Sequence, residues 1–342
     1  MLGTFVDKIS GFFDRRFVIA HWMPALTGLG LALGLAGILL DPRDAFHWWT
    51  IRSETAQAIM GLAALLGVTL LAFLLDALTT PLVRLYEGYW SEGSLTRWAR
   101  KRQQDALSEA KNTIKETRAK GAQATPGEKR AGAHAYHLRY YNFPRNAGRL
   151  KPTQLGNVLS AAEEYPHQMY SLDAVIWWPR MATSLPEAFS AQIDAALTPM
   201  LALLNLSTVF IAAALGGTLA VLPTGNPWWA MPIILAAGLL LARLCYGAAV
   251  SQATGYAQMI RVAFDLYRQA ALKQMHIPVP DNLVDERRLW SALNTWVYHY
   301  IPPWEAAQGE QSVAAHPFYY DKQKPTADRR LTTDDRPSTA DS

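Results

Sequence analysis

Residues 18–40 read VIAHWMPALTGLGLALGLAGILL and contain no Asp, Glu, Lys or Arg. These 23 residues exceed the roughly 20 that an α-helix needs to cross the hydrocarbon core of a membrane. The stretch is too long for a cleaved signal peptide, lacks a small-residue cleavage site, and is followed by a second apolar stretch. It therefore predicts a transmembrane helix.

Three further apolar stretches follow. The second runs from Ile59 to Leu78 around Asp76, the third from Leu201 to Leu222, and the fourth from Trp228 to Val250 around Arg243. The predicted fold class is an all-α integral membrane protein, with four transmembrane helices in two hairpins and a helical cytoplasmic domain.

Composition supports this fold class. Of 342 residues, 50% are hydrophobic and only 18% charged, because four nearly pure apolar stretches alternate with strongly polar segments. This excludes a soluble dinucleotide-binding enzyme, a disulfide-stapled module and a mainly disordered chain. The single Cys245 excludes an intramolecular disulfide.

Orientation follows from the Lys and Arg residues of the connections, since positive charge stays on the cytoplasmic side. Residues 41–55 and 223–227 together hold two such residues, whereas the segments on the opposite side hold 29. The pairs Trp48–Trp49 and Trp228–Trp229 flank the predicted outer ends, where indole rings favour the headgroup boundary. Both termini are therefore predicted to be cytoplasmic.

These boundaries divide the chain into six segments. They are an amphipathic N-terminus (1–17), a first hairpin (18–80, spans 18–40 and 57–78), a basic helical cytoplasmic domain (81–197), a second hairpin (198–253, spans 200–222 and 228–250), cytoplasmic amphipathic helices (254–319) and a tail predicted to be disordered (320–342).

Helix signals within the first cytoplasmic domain begin directly after the second span. Residues 82–120 contain no Pro and predict one long helix, although Gly88 and Gly93 weaken its start. Leu107, Ala110, Ile114 and Thr117 are spaced by three and four, which suits a weak coiled-coil seam or a solvated helix. Residues 121–127 are predicted to break this helix.

Further helices are expected on both sides of the third span. One begins at Pro152 and Thr153, and the short apolar run 172–178 is expected to stop at Pro179. A helix with Pro186 in its first turn is expected to run into the third span, with a kink at Pro199 as one option. The fourth span is expected to continue beyond Val250, and residues 285–298 to form an amphipathic helix.

The basic segment 97–151 holds 14 Lys and Arg residues against 4 Asp and Glu, a net charge of +10 in a protein of +4. A solvated cytoplasmic face explains this charge, and so does contact with anionic lipid headgroups or a protein partner. The segment has no recognisable nucleic-acid-binding motif, so nucleic acid is an unlikely partner. The candidate contact residues are Arg97, Arg100, Lys101, Arg102, Arg145, Arg149, Lys151, Trp177, Trp178 and Arg180.

Asp76 and Arg243 are the only Asp, Glu, Lys or Arg residues within the predicted spans, and each is unfavourable if it faces lipid alone. Together with His21 and Asn205 they form a candidate intramembrane polar cluster near the inner membrane surface. Three interpretations stay open: snorkelling toward the inner headgroups, an Asp76–Arg243 ion pair between helices, and a permeation or proton path.

Small residues repeat at three and four along the first span, at Thr27, Gly30, Gly34 and Gly37. Such a stripe lets another helix approach closely, and we expect packing within the chain in preference to dimerisation.

Signals for enzymatic chemistry are absent from the sequence. It has no Gly-x-Ser-x-Gly elbow, phosphate-cradling loop, His-Glu-x-x-His motif or paired-cysteine metal site. His134 and His137 would share a helix face but lack a nearby carboxylate, and the adjacent Glu163 and Glu164 diverge on a helix. The sequence thus predicts no catalytic residue, no metal and no cofactor.

The least ordinary local sequence is Pro152-Thr153-Gln154-Leu155-Gly156-Asn157, followed by Trp178-Pro179-Arg180 and a predicted hairpin. This pattern resembles uncharacterised multi-pass bacterial membrane proteins in which a Pro-Thr-x-Leu-Gly-Asn element precedes a Trp-Pro-Arg element. The resemblance covers residues 145–222, with a weaker echo at Glu286-Arg287-Arg288-Leu289-Trp290. It implies a bacterial cytoplasmic membrane and no particular activity.

The function expected from the sequence is a non-enzymatic inner-membrane scaffold or accessory protein. Its basic cytoplasmic helices would contact the anionic inner leaflet or a protein partner. The alternative is a subunit of an oligomeric ion channel or transporter, with the polar cluster lining a pathway. Four spans are few for a transporter, so this alternative requires a homo-oligomer.

Overall fold

A computed structural model describes residues 14–39, 47, 49–222 and 228–299 of this protein, and within these ranges its regular secondary structure is entirely helical. Four helices are long and apolar enough to cross a membrane: Arg15–Gly37, Glu54–Ala77, Glu187–Ala220 and Ala230–Gln274. The predicted tail (320–342) lies outside the described residues, as do residues 1–13, 40–46 and 223–227.

The helices are numbered in chain order. They are α1 (Met23–Leu39), α2 (Glu54–Ala77), α3 (Thr79–Glu87), α4 (Ser94–Lys120), α5 (Pro126–His137), α6 (Gln154–Tyr170), α7 (Ala174–Ala182), α8 (Glu187–Ala220), α9 (Ala230–Gln274) and α10 (Leu283–His299). The first spanning helix begins with an α-helical turn (Arg15–Phe17), continues as a π-helical turn (Val18–Trp22), and then becomes α1.

Several expected helices are confirmed. The fourth span continues without interruption to Gln274, α8 runs through Pro199 into the third span, and α10 covers the predicted amphipathic helix. The break after Lys120 is also present, and α5 begins at a capping box in which Thr125 and Glu128 bond each other's backbone N–H groups.

The expected single helix over 82–120 is wrong. Gly88 ends α3 in the left-handed conformation (φ 86°), and α4 begins only at Ser94. The Gly88 N–H donates to the Leu85 carbonyl at 3.1 Å and the Tyr89 N–H donates to the Arg84 carbonyl at 3.0 Å, so two terminal carbonyls are satisfied. Glycine tolerates this backbone conformation, which is the reason that the chain turns here.

The apolar run 172–178 lies largely in α7, and this helix continues through Pro179 to Ala182. The side chain of Asp173 caps this helix by accepting from the N–H groups of Val175 and Ile176 at 2.9 and 3.3 Å. Pro179 lies after the first turn without ending the helix.

The proposed coiled-coil seam belongs to a helical hairpin within the chain. Helix α4 packs against α5, and a Cβ at Gly132 of α5 would lie 2.7 Å from the Thr117 side chain of α4. Leu107 is buried with Phe143 and Leu150, which follow α5. The small residues Thr117 and Gly132 thus let these two helices approach closely.

The chain divides into two compact units, Met1–Tyr165 with Pro186–Ala263, and Pro166–Leu185 with Phe264–Ser342. In the first unit, buried residues of α6, α8 and α9 form the main core: Leu155, Val158, Ala162, Met200, Leu201, Leu204, Ala249, Ala253 and Ala257. In the second unit, Trp177 and Trp290 pack edge to face with ring centroids 5.1 Å apart.

Candidate functional site

The Pro-Thr-x-Leu-Gly-Asn element packs against the turn at the end of α3. A Cβ at Gly156 would overlap the carbonyl oxygen of Glu87, and a Cβ at Gly88 would overlap the ring of Pro152. Both glycines therefore permit a backbone approach that any other residue would block. We call these residues, Glu87–Gly88 with 152–157, the elbow.

Polar groups of the elbow bond one another. Asn157 accepts from the Lys151 N–H at 2.8 Å and donates to the Lys151 carbonyl at 3.1 Å, which ties the start of α6 to the preceding loop. Thr153 accepts from the Gly156 N–H at 3.0 Å, and the hydroxyl of Tyr246 in α9 accepts from the Leu155 N–H at 3.3 Å. The element is therefore a structural junction between α3, α6 and α9.

The carboxyl of Glu87 has an unusual environment beside the elbow. Burial, and after it the negative charge of Glu163, raise the pKa of Glu87 to a net value of about 7. Lys151 and Arg84 oppose this rise without cancelling it. Glu87 therefore titrates near neutral pH.

Exposed aromatic and basic side chains follow the second span. Leu85, Tyr89, Leu95 and Trp98 are each between 55% and 63% exposed. Arg97, Lys101 and Arg102 are exposed on the first turns of α4, and the Arg102 guanidinium lies 5.8 Å from the centroid of the Trp98 ring. We call these seven residues the interfacial corner.

Three of the other predicted basic contact residues, Arg100, Lys151 and Arg145, contact side chains of the same chain. Arg100 pairs with Glu92 at 2.8 Å, and the Lys151 ammonium lies 3.7 Å from the centroid of the Tyr89 ring. The Arg145 guanidinium lies 5.8 Å from the centroid of the Tyr140 ring. The fourth, Arg149, is exposed and lies six residues after Phe143 in the chain.

The predicted contact residues of the second unit divide between its surface and its core. Trp177 is only 1% exposed, so it is inaccessible to lipid or to a partner, and its indole N–H donates to Asn294 at 2.8 Å. Trp178 is half-buried, with its ring centroid 6.0 Å from that of Phe264. Arg180 is exposed, and its guanidinium donates to the Ile176 carbonyl at 2.8 Å.

Sequence reasoning missed a buried ion pair in this unit. Glu286 accepts from Arg268 at 2.7 Å, and the two side chains are 4% and 15% exposed. The indole N–H of Trp290 also donates to Glu286 at 3.3 Å. Glu286 and Trp290 are the first and last residues of the segment Glu286-Arg287-Arg288-Leu289-Trp290. Residues four apart share a helix face, so this spacing could have indicated that the two side chains meet.

Three members of the predicted intramembrane cluster meet, and they come from three different spans. The Nε2 atom of His21 lies 3.2 Å from Asp76 Oδ1, and its Nδ1 atom lies 3.0 Å from the Asn205 amide nitrogen. Asn205 also donates to the Ala20 carbonyl at 2.7 Å. His21 belongs to the π-helical turn Val18–Trp22, a feature frequent at functional sites.

An Asp76–Arg243 ion pair was one of the three interpretations left open, and in the structure Asp76 contacts His21 instead. Arg243 is exposed on α9, and its guanidinium lies 5.9 Å from the centroid of the Tyr246 ring, three residues along the same helix. None of the ion pairs among the described residues includes Arg243. The structure therefore separates Arg243 from the cluster.

The small-residue stripe of the first span also differs from expectation. A Cβ at Gly30, Gly34 or Gly37 would meet nothing within 4 Å, whereas a Cβ at Gly28 would lie 3.3 Å from Val209 of α8. The close helix contact therefore uses Gly28, which lies outside the predicted repeat. The stripe itself faces away from the rest of the described chain.

The described residues contain no group of three or more His, Cys, Asp and Glu side chains that could hold a metal ion. His137 instead stacks on Tyr141, with ring centroids 4.8 Å apart. The chain matches no protein-family model, no curated protein and no solved structure.

Proposed function

We propose that this protein is a non-enzymatic scaffold or accessory protein of the bacterial inner membrane, and that its basic cytoplasmic helices bind anionic lipid. The proposal is carried by the interfacial corner. The corner exposes two aliphatic and two aromatic side chains beside three cations, directly after an apolar helix. Clustered exposed apolar side chains typically mark a surface that binds a membrane or another protein. A membrane interface accommodates both kinds of group.

The composition of the corner matches two layers of the interface. Tyr89 and Trp98 have rings that favour the headgroup boundary, while Leu85 and Leu95 gain by leaving water. Arg97, Lys101 and Arg102 would then lie at the level of the phosphates, each contributing about 1 kcal/mol with anionic lipid. Apolar burial and electrostatic attraction act on neighbouring side chains. Together they would hold the start of α4 at the inner leaflet.

The test measures lipid retained by the full-length protein. We expect native mass spectrometry of protein extracted from mixed phosphatidylcholine and phosphatidylglycerol vesicles to show preferential retention of phosphatidylglycerol. Replacing Arg97, Lys101 and Arg102 together by Gln should remove most of that preference. A matched control replaces Lys111, Lys115 and Arg118 by Gln, which removes the same charge from exposed positions about 21 Å farther along α4.

The comparison of the two triple variants decides the proposal. Loss of preference in the corner variant alone supports lipid binding at the corner. Equal loss in both variants would mean that total charge matters and position does not, which contradicts the proposal. Retention of the preference in both would contradict it as well.

The proposed topology has two hairpins with both termini in the cytoplasm, and it rests on the distribution of Lys and Arg. Reporter fusions after Leu40, Pro81, Gly225 and Ser342 should read outside, inside, outside and inside. An inside reading at Gly225 would remove the second hairpin and contradict the placement of the basic domain.

A second candidate function is a subunit of an oligomeric channel or transporter, favoured by the contact of His21 with Asp76 and Asn205. Polar side chains shared by three spans are typical of ion and proton pathways. Flux of protons or monovalent cations through reconstituted vesicles should then fall in Asp76→Asn and stay unchanged in Arg243→Gln. Absence of flux in the wild-type protein would leave the three residues as structural links between the spans.

A further inference from the structure

Arg261 of α9 is buried without an acidic partner. It is 5% exposed, and the six ion pairs among the described residues do not include it. A buried guanidinium stays charged, and leaving it uncompensated strongly disfavours the folded state. Glu164, which precedes Tyr165, accepts instead from the backbone N–H groups of Arg145 and Asn146. Asp265, four residues after Arg261, accepts from the Tyr170 hydroxyl.

The partners of Arg261 are neutral. Its Nη2 atom donates to the carbonyl of Tyr141 at 2.8 Å. The rings of Tyr141 and Tyr165 lie 5.2 and 5.9 Å from its guanidinium carbon, in the range of cation–π interaction. These contacts hold the guanidinium in place but leave its charge unneutralised.

Two unpartnered polar atoms occur here. Nη1 of Arg261 is buried and has no hydrogen-bond partner among the described residues, and the same holds for Oδ1 of Asn142. Arg261 bonds the Tyr141 carbonyl, and Asn142 is the next residue in the chain. Both belong to or contact the π-helical turn Leu138–Asn142, a type of turn that is frequent at functional sites.

We propose that Arg261 and Asn142 form a binding site for a phosphate-type anion. An oxygen of hydrogen phosphate accepts from Nη1 of Arg261, and its P–OH group donates to Oδ1 of Asn142. The anion thereby neutralises the buried charge of Arg261. Sulfate offers the acceptors without the P–OH donor, so the site should prefer phosphate.

The position of Arg261 along α9 favours a soluble ligand over a lipid headgroup. Arg261 lies eleven residues beyond Val250, the predicted end of the fourth span, which corresponds to about 16 Å of helix. Inorganic phosphate or a soluble phosphate monoester can reach such a position. The phosphate of a bilayer lipid would have to leave the headgroup layer.

The experiment uses the full-length protein in phosphatidylcholine nanodiscs at pH 7 and constant ionic strength. Titration calorimetry with inorganic phosphate should show binding, with weaker binding of sulfate and none of chloride. Arg261→Gln should weaken phosphate binding about 10- to 100-fold, through loss of a charge-assisted hydrogen bond. The matched control Arg139→Gln removes an arginine of the same turn, whose Nη1 donates to the Pro144 carbonyl at 3.4 Å, and should leave binding unchanged.

A second variant keeps the proposal testable if Arg261→Gln fails to fold. Asn142→Asp supplies the guanidinium with a carboxylate of its own. We expect it to raise the melting temperature in phosphate-free buffer and to abolish the further rise that phosphate gives to the wild type.

Three results would overturn the proposal. One is no binding of phosphate by the wild-type protein at millimolar concentration, which leaves solvent as the partner of Arg261. Another is equal weakening in Arg261→Gln and Arg139→Gln. The third is binding only when the nanodiscs contain phosphatidic acid, which would assign the site to a lipid headgroup.

Discussion

Two groups of glycines in this protein differ in how closely other parts of the chain approach them. In the elbow, Gly88 and Gly156 lie where a Cβ would overlap Pro152 or the Glu87 carbonyl. In the first span, Gly30 and Gly34 lie where a Cβ would meet nothing within 4 Å. The regular spacing of small residues along the first span thus gave less information about close contact than two isolated glycines in the cytoplasmic domain.

The physical reason is that spacing along one helix reports which residues share a face, and it says nothing about whether another element covers that face. The elbow glycines are required by particular backbone geometry. Four predictions test this difference, from the largest expected effect to the smallest.

Gly156→Ala should have the largest effect. The new methyl group would overlap the Glu87 carbonyl oxygen, and backbone on both sides leaves little room to adjust. We expect destabilisation of about 3 kcal/mol or more, at the upper end of the effects of overpacking. Thermal unfolding in detergent micelles, followed by circular dichroism, measures it.

The control for this variant is Gly255→Ala in α9, where a Cβ would meet no other described atom within 4 Å. It should unfold at or above the wild-type temperature. Similar melting temperatures for Gly156→Ala and the wild type would show that α6 and α3 do not approach as closely as described.

Gly88→Ala should follow. Alanine in the left-handed region is less stable by roughly 1–2 kcal/mol, and its methyl group would also overlap the ring of Pro152. Combining it with Pro152→Ala removes the overlap but keeps the backbone strain, so the double variant should recover only part of the lost stability. Full recovery would assign the whole effect to the overlap.

Glu87→Gln tests the elbow by its pH dependence. The pKa of Glu87 is raised to about 7 from an ordinary 4.5, so the folded state binds more protons than the unfolded state between these values. The contribution to stability is therefore fully present below pH 4.5 and is lost as pH rises through 7. The wild type should lose stability between pH 5 and 8, and the variant should show a flatter profile.

The melting temperature measured across that pH range checks this prediction, with Glu109→Gln on exposed α4 as the control. The control should follow the wild-type profile. A flat wild-type profile would show that Glu87 is solvated in the folded protein.

Gly34→Ala in the first span should have the smallest effect. With open space around the new methyl group, alanine gains only the helix propensity that glycine lacks, about 0.5–1 kcal/mol. We expect a melting temperature equal to or slightly above that of the wild type. A clear decrease would indicate that a second chain covers the stripe, and analytical ultracentrifugation of the variant would then show a change in oligomeric state.

Much of the fold could be predicted from the sequence. The four long apolar helices, the extension of α9 beyond its apolar stretch and the helix after Pro186 all follow from apolar runs and helical spacing. These features are local, because a helix satisfies its own backbone hydrogen bonds within one segment. The exception at Gly88 arose where a tertiary contact, with Pro152, accompanies the local conformation.

The candidate sites were predicted less completely. Asp76, His21 and Asn205 were grouped by counting the depth of each residue along its predicted span, and the three side chains meet in the structure. Arg243 was grouped with them on the same count, but in the structure its guanidinium lies near the Tyr246 ring of its own helix. Arg261 gave no signal in the sequence, since an arginine on a predicted cytoplasmic helix is ordinarily exposed.

The sequence by itself therefore determined which segments are helical and which are apolar enough to cross a membrane. It also located the basic residues that follow the second span. Only the tertiary structure decided which glycines carry close contacts, which partner Asp76 takes and which arginine is buried without a counter-charge. Each of these depends on the rotation and approach of helices that are distant in the chain, and no periodicity within one helix records that.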